Sequence, residues 1–165
     1  MLTEQQITQI LLAYYRPPEF WAVPELRIKN LLAIPQLTIH HGGQQQIQID
    51  LAVQSQHDKQ LVFIEAERVL ALDHPILYRP FAHYVYLAAP EEAIQKQPKV
   101  IQHQQFQLAR QKKIGVLGVQ ADKKVIVHVS AEWCAVHPYV YATVCRVLQK
   151  KWTQQKRIRI ERNLS

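Results

Sequence analysis

The sequence predicts an α/β or α+β sandwich, with a mixed central β-sheet flanked by helices, and three observations carry that prediction. Around Gln46–Gln54, Ile47, Ile49, Leu51 and Val53 alternate with Gln48, Asp50 and Ala52, the period of a strand with one buried face. Leu61 to Ile64 is continuously apolar, as in a strand covered on both sides. Helical spacing brackets these strands at both ends of the chain, and the order helix, strands, helix, strand, helix, hairpin, helix belongs to a layered α/β architecture.

From the start, Thr3 followed by Gln6 has the form of a capping box, and Ile7, Ile10, Leu11 and Tyr14 recur at i, i+3, i+4 and i+7, so a helix is expected until Pro17-Pro18 stops it. Glu4 lies in its first turn, where the helix dipole explains an acid. Phe20 to Ile28 reads as a strand broken by Pro24, Leu31 to Pro35 as a connection, Leu37 to His40 as a short strand, and His41-Gly42-Gly43 as the turn into the strand carrying Asp50. His40 and His41 would point to opposite faces of a strand and could not chelate one ion together. After Glu67, Pro75 and Pro80 allow only a short or kinked helix. Tyr84 to Ala88 reads as a strand with Val85 and Leu87 on one face, Pro90-Glu91-Glu92 as a helix start, and Val100 to Arg110 as a helix with Phe106 and Ala109 in its apolar stripe. Ile114 to Val119 and Val125 to Val129 form a second hairpin. Pro138 opens a last helix in which Tyr141, Val144, Cys145 and Leu148 repeat at core spacing.

The central hairpin concentrates the chemistry. Its polar turn, Ser55 to Lys59, centres between His57 and Asp58, so directly opposed residues sum to 115. That register sets Asp50 against Glu65 and Gln48 against Glu67, with opposed Cβ atoms roughly 5 Å apart. Glu65 and Glu67 share a face by alternation. Like charges so placed repel, so the cluster makes sense with something positive among them, and hard cations such as Mg2+ are held by one or two carboxylates with phosphate oxygens and water. A surface hairpin with solvated edge charges is the competing reading, opposed by the apolar run that precedes the glutamates.

This pattern resembles the active-site hairpin of the PD-(D/E)XK nuclease superfamily, the restriction-endonuclease-like fold. Asp50 matches the family aspartate and Glu65 the acidic residue of the Glu-x-Lys strand, while Glu67 stands where the family's lysine usually stands. Some restriction enzymes of this superfamily are similar in carrying Glu-x-Glu there. Pro24-Glu25-Leu26, Ala82 to Pro90 and Ile114 to Val119 look like the fold's other strands in order, so the resemblance covers roughly Thr3 to Trp152. It implies one nuclease-like domain over residues 1–152, followed by a basic tail over 153–165. It further implies hydrolysis of DNA phosphodiester bonds in repair, restriction or mobile elements, with Asp50 and Glu65 holding Mg2+ or Mn2+ and Glu67 acting as general base or water-holding group. In such a family a first-helix glutamate sometimes supports the site, here Glu4, and a basic residue after the Glu-x-Lys strand can replace the lysine, here Arg68 or Arg79. The alternative is a nuclease-fold protein that no longer cuts and serves as a DNA-binding or protein-interaction module.

Charge suits a polyanionic partner. The formal charge is +7 over 165 residues, and Lys150, Lys151, Lys156, Arg157, Arg159 and Arg162 form the densest basic stretch, a candidate DNA contact or equally a frayed, solvated tail. No apolar run approaches ~18 residues and no secretory leader is visible, so a cytoplasmic protein with DNA as partner, no membrane and room for a homodimer is expected. Cys134 and Cys145 fit neither a redox nor a zinc spacing, Gly115 and Gly118 are not followed by Gly-Lys-Ser/Thr, and neither Ser55 nor Ser130 sits in a nucleophile elbow.

Overall fold

The computed structural model describes residues 1–29 and 46–164. The expected connection at 31–35, the strand over 37–40 with its His40-His41 pair, and the turn at 41–43 lie outside them. In chain order the elements are α1 (Glu4–Tyr14), β1 (Phe20–Lys29), β2 (Gln46–Ser55), β3 (Leu61–Ala66), α2 (Asp73–Leu77), a 3-10 turn (Arg79–Phe81), β4 (Tyr84–Pro90), α3 (Glu91–Lys96), α4 (Lys99–Gln111), β5 (Ile114–Val119), β6 (Val125–Val129) and α5 (Pro138–Leu164). The six strands form one sheet in sequence order. β1, β2 and β3 pair antiparallel, β3, β4 and β5 parallel, and β6 closes antiparallel on β5. The sheet is therefore mixed, with helices on both faces.

Each face has its own core. Ile7 and Leu11 of α1 pack over Leu51, Val53, Ile64, Ala66, Ala88, Leu117 and Val119. On the other face Tyr78, Ile94, Ala109, Val140, Val144 and Leu148 cover Ile49, Phe63, Val85, Leu87, Val116 and Val129. Two covered faces explain why β5 is buried along its whole length and why its sequence, Ile-Gly-Val-Leu-Gly-Val, does not alternate. Helix α1 begins with the expected reciprocal cap, Gln6 N–H donating to Thr3 Oγ1 and Thr3 N–H to Gln6 Oε1.

Pro24 does not break β1. The ladder with β2 continues through Pro24↔Leu51 and Leu26↔Ile49, leaving out only Glu25, which has φ 50°. There the burial pattern changes face without a change of register. Ile47 and Ile49 belong to the α2–α5 side, whereas Leu51 and Val53 belong to the α1 side. The single buried face expected for these four residues is thus two half-faces that exchange at Asp50, because a left-handed residue in the partner strand re-aims the alternation on either side of it.

Helix α5 also departs from expectation. The chain beyond Trp152 does not fray but continues the helix to Leu164, so the expected boundary at 152 falls inside one element. The stretch after Trp152 holds no Pro or Gly and is rich in Gln, Lys and Arg, which favour helix. Its residues from Lys156 to Leu164 are exposed. Among the described residues no helix is long and apolar enough to cross a membrane.

A partly buried histidine–carboxylate contact joins α3 to the sheet's edge. His128 Nε2 lies 2.7 Å from Glu91 Oε2, and Gln95 Nε2 donates to Glu91 Oε1 at 2.6 Å. Gly118 leaves the room for this pair, since a Cβ there would overlap the Glu91 carboxylate and stand 2.9 Å from His128 Nε2. With both carboxylate oxygens and the imidazole engaged inside the fold, the pair is a structural clamp.

Candidate active site

Three carboxylates, Asp50, Glu65 and Glu67, and one imidazole meet where the β2–β3 ladder ends. The β2–β3 ladder runs from Gln54↔Leu61 to Leu51↔Ile64, the register in which opposed residues sum to 115. Beyond it a side chain takes over the pairing, because Ala66 N–H donates to Asp50 Oδ2 at 2.9 Å. Asp50 is thereby fastened to the peptide between Glu65 and Glu67. Glu67 N–H in turn donates to Ala88 O at 2.9 Å, which extends the β3–β4 pairing one residue past the strand and orients Glu67.

Glu65 is buried, at 7% exposure, and Glu67 is half-buried. Helix α2 covers them. Pro75 in its first turn supplies a fixed φ, and the buried Leu70 and Leu72 anchor the approach to it. His74 and Tyr78, four residues apart, lie on one helical face. His74 Nδ1 is 2.9 Å from Glu67 Oε1 and 3.3 Å from Glu65 Oε1. Tyr78 Oη is 2.8 Å from Gln48 O and 3.0 Å from Glu65 Oε2. A phenol has one proton to give, so when it goes to Gln48 O the contact with Glu65 is best made by a protonated carboxyl.

The electrostatics agree. Burial, then the Asp50 charge, pushes Glu65 up to about 8, with Glu67 adding to the shift and Tyr78 opposing it. Asp50 is also raised, chiefly by burial and further by Glu4 and Glu67, against the lowering effect of the Ala66 N–H. Burial and the Glu65 charge raise Tyr78. Glu4 of α1 thus bears on the site through its charge, a role that the helix dipole alone does not describe. Asp50, Glu65, His74 and Tyr78, with Gln48, line an open cavity of about 290 Å³.

The basic candidates distribute differently. Arg79 Nη2 donates to the carbonyls of Ala82 and His83, holding the turn into β4, and Arg68 is exposed. The side chain in contact with both Glu65 and Glu67 is His74, and neither arginine takes that place. Lys151, expected to face DNA, is engaged within the fold: its ammonium donates to Pro24 O at 2.9 Å and to Glu25 O, and burial lowers its pKa. It satisfies the carbonyls at the irregular turn of β1 opposite Asp50. Lys150, Lys156, Arg157 and Arg159 are exposed on α5.

Fold comparison adds one relative in shape. The chain is similar to the solved structure of the SPO1766 protein of unknown function from Silicibacter pomeroyi, with a TM-score of 0.56, 15% identity, and 97% of this chain matched to 90% of that one. At that identity the likeness concerns the arrangement of elements alone. No family model and no curated protein matches the sequence.

His74 and Tyr78 were not among the residues marked in the sequence. The available signal was their four-residue spacing inside a helix that the flanking prolines force to be short, seven residues beyond Glu67.

Proposed function

We propose that this protein is a metal-dependent phosphodiesterase acting on DNA, with a restriction-endonuclease-like fold and its site at Asp50, Glu65 and Glu67. The observation that carries the reading is the meeting of these carboxylates at one strand end, in a setting that raises Glu65 to about 8. Buried like charges are costly unless a cation offsets them, and catalytic centres are where such perturbed groups gather.

The donor set fits a divalent cation: the oxygens of Glu65 and Glu67 and His74 Nδ1 lie within 4.8 Å of one another, and Asp50 stands beside Glu65. Such an ion, when bound, supplies Lewis-acid polarisation of a phosphoryl oxygen and a more acidic water. Asp50, fixed through Ala66, orients Glu65 and contributes negative charge to the ion's site. Tyr78 holds Glu65 in place from the cavity wall. Glu67, more exposed than Glu65, would offer one oxygen to the ion and keep the other to orient an attacking water and accept its proton. The exposed Lys150, Lys156, Arg157 and Arg159 on α5 give the chain a phosphate-binding surface, with the steep salt dependence that such contacts carry.

A second reading is favoured by one observation: the side chain beside Glu65 and Glu67 is the His74 imidazole, where the family pattern has a lysine ammonium. In that reading the protein binds DNA without cutting it. Cleavage of double-stranded, single-stranded, nicked and branched DNA with Mg2+ or Mn2+ decides between them. An active wild type whose Glu67→Ala variant loses on the order of a hundredfold in rate while still binding DNA supports the enzyme. An inactive wild type that gains metal-dependent cleavage on Glu67→Lys supports the decayed site, since lysine restores a cation able to stabilise charge on the phosphate. Inactivity of both proteins, without metal binding, removes the nuclease reading.

A further inference from the structure

From the position of His74 we infer that the ion this site selects is a first-row transition-metal dication of the Mn2+ class, bound through Glu65, Glu67 and His74 Nδ1, in preference to Mg2+. The inference deepens the hydrolase reading, on which it rests for Glu65 as a shared ligand.

The three donor atoms lie within 4.8 Å of one another, near enough to share one ion. Two ligands in adjacent positions on an ion with bonds of about 2.1 Å stand roughly 3.0 Å apart in an octahedron and roughly 3.4 Å apart in a tetrahedron. His74 Nδ1 stands 2.9 Å from one glutamate oxygen and 3.3 Å from the other, so an ion can replace the imidazole proton between them with little movement. The three donors come from three separate positions: the buried end of β3, the residue fastened to Ala88 O, and the first turn of α2. They therefore do not meet as a consequence of one local turn.

The cluster also opens onto the cavity of about 290 Å³ lined by Asp50, Glu65, His74 and Tyr78, which leaves space for the waters and the phosphate oxygen that would complete the sphere. His74 is largely exposed on its outer side, giving an entry path from solvent. Ligand chemistry then narrows the ion. Mg2+ takes oxygen and keeps its water, whereas an imidazole ligand turns the set toward the first-row transition ions, among which Mn2+ is the one that also suits carboxylate and water. Asp50, with one oxygen committed to Ala66 N–H, lies outside the trio and tunes it through charge.

The test uses the full chain without DNA. Calorimetric titration with MnCl2 and with MgCl2 should give Mn2+ at least tenfold tighter binding than Mg2+ in wild type, and His74→Ala should lose that preference while Lys156→Met, at an exposed position on α5, keeps it. Pulsed electron paramagnetic resonance of bound Mn2+ should show coupling to a histidine nitrogen that vanishes in His74→Ala. Absence of Mn2+ binding, equal affinity for the two ions, or a nitrogen coupling that is missing in wild type or persists in His74→Ala overturns the inference. Tight Mn2+ binding with the nitrogen signal in a protein that cuts no DNA upholds the ion site and removes only the reaction.

Discussion

Asp50 Oδ2 accepts a hydrogen bond from Ala66 N–H, so the side chain of one strand ties down the peptide between the two glutamates of the next. The carboxylate has two separable effects, as an acceptor that completes the strand pairing and as a charge that repels Glu65 and Glu67. Asp50→Asn keeps an acceptor oxygen and removes the charge; it should leave metal-free stability equal or higher. Asp50→Ala strands the amide and should cost about 1–3 kcal/mol. Thermal melts without metal compare the two, and a large loss in Asp50→Asn would make the charge itself a structural partner.

Glu65 makes metal-free stability depend on pH. Its folded value of about 8 exceeds the ordinary 4.5, so across that window the folded protein keeps a proton that the unfolded chain releases. Its contribution is full below pH 4.5 and is lost as pH rises to about 8. Metal-free protein should therefore lose stability on going from pH 5 to pH 8, whereas Glu65→Gln should flatten that slope and melt higher at pH 8. Denaturant titrations at both pH values read it; an unchanged slope in Glu65→Gln would remove Glu65 as the source.

Gly118 tests the Glu91–His128 clamp. A methyl at this position overlaps the Glu91 carboxylate, so Gly118→Ala should destabilise by about 1–3 kcal/mol, as overpacking a filled site does. Glu91→Ala removes the obstacle along with the pair, and the double variant should cost clearly less than the two singles together. A double-mutant cycle by urea denaturation measures the coupling, and additivity would contradict the overlap.

Lys151 and its neighbours on α5 should separate stability from binding. Lys151→Met loses the bonds to Pro24 O and Glu25 O and should cost about 1–2 kcal/mol, while Lys156→Met, at an exposed position, should fall within about 0.5 kcal/mol of wild type. For DNA affinity the order reverses: deleting residues after Lys151 should weaken binding and flatten its salt dependence. Fluorescence anisotropy across a salt series checks this, and an unchanged slope would exclude the end of α5 as a phosphate contact.

What the sequence determined by itself was whatever depends on near neighbours. The reciprocal Thr3–Gln6 cap follows from a three-residue spacing, the β5–β6 hairpin from two apolar runs around a polar turn, and the β2–β3 register from the centre of the Ser55–Lys59 turn. The mixed sheet flanked by helices followed from the order of such elements. Tertiary structure alone decided how distant pieces meet. Nothing local to His74 announces that its imidazole will stand between Glu65 and Glu67, because α2 reaches them only once Leu70, Leu72 and Phe81 are buried against the sheet. The exchange of faces at Asp50 was hidden for a similar reason, since it originates in the backbone of Glu25 on another strand. Lys151 belongs by composition to a basic stretch, and only the packing of α5 across β1 brings its ammonium to the carbonyls of Pro24 and Glu25. Periodicity reports which face of an element is apolar, whereas a site is made by the side chains that different elements deliver to one point, and that depends on how the buried faces pack.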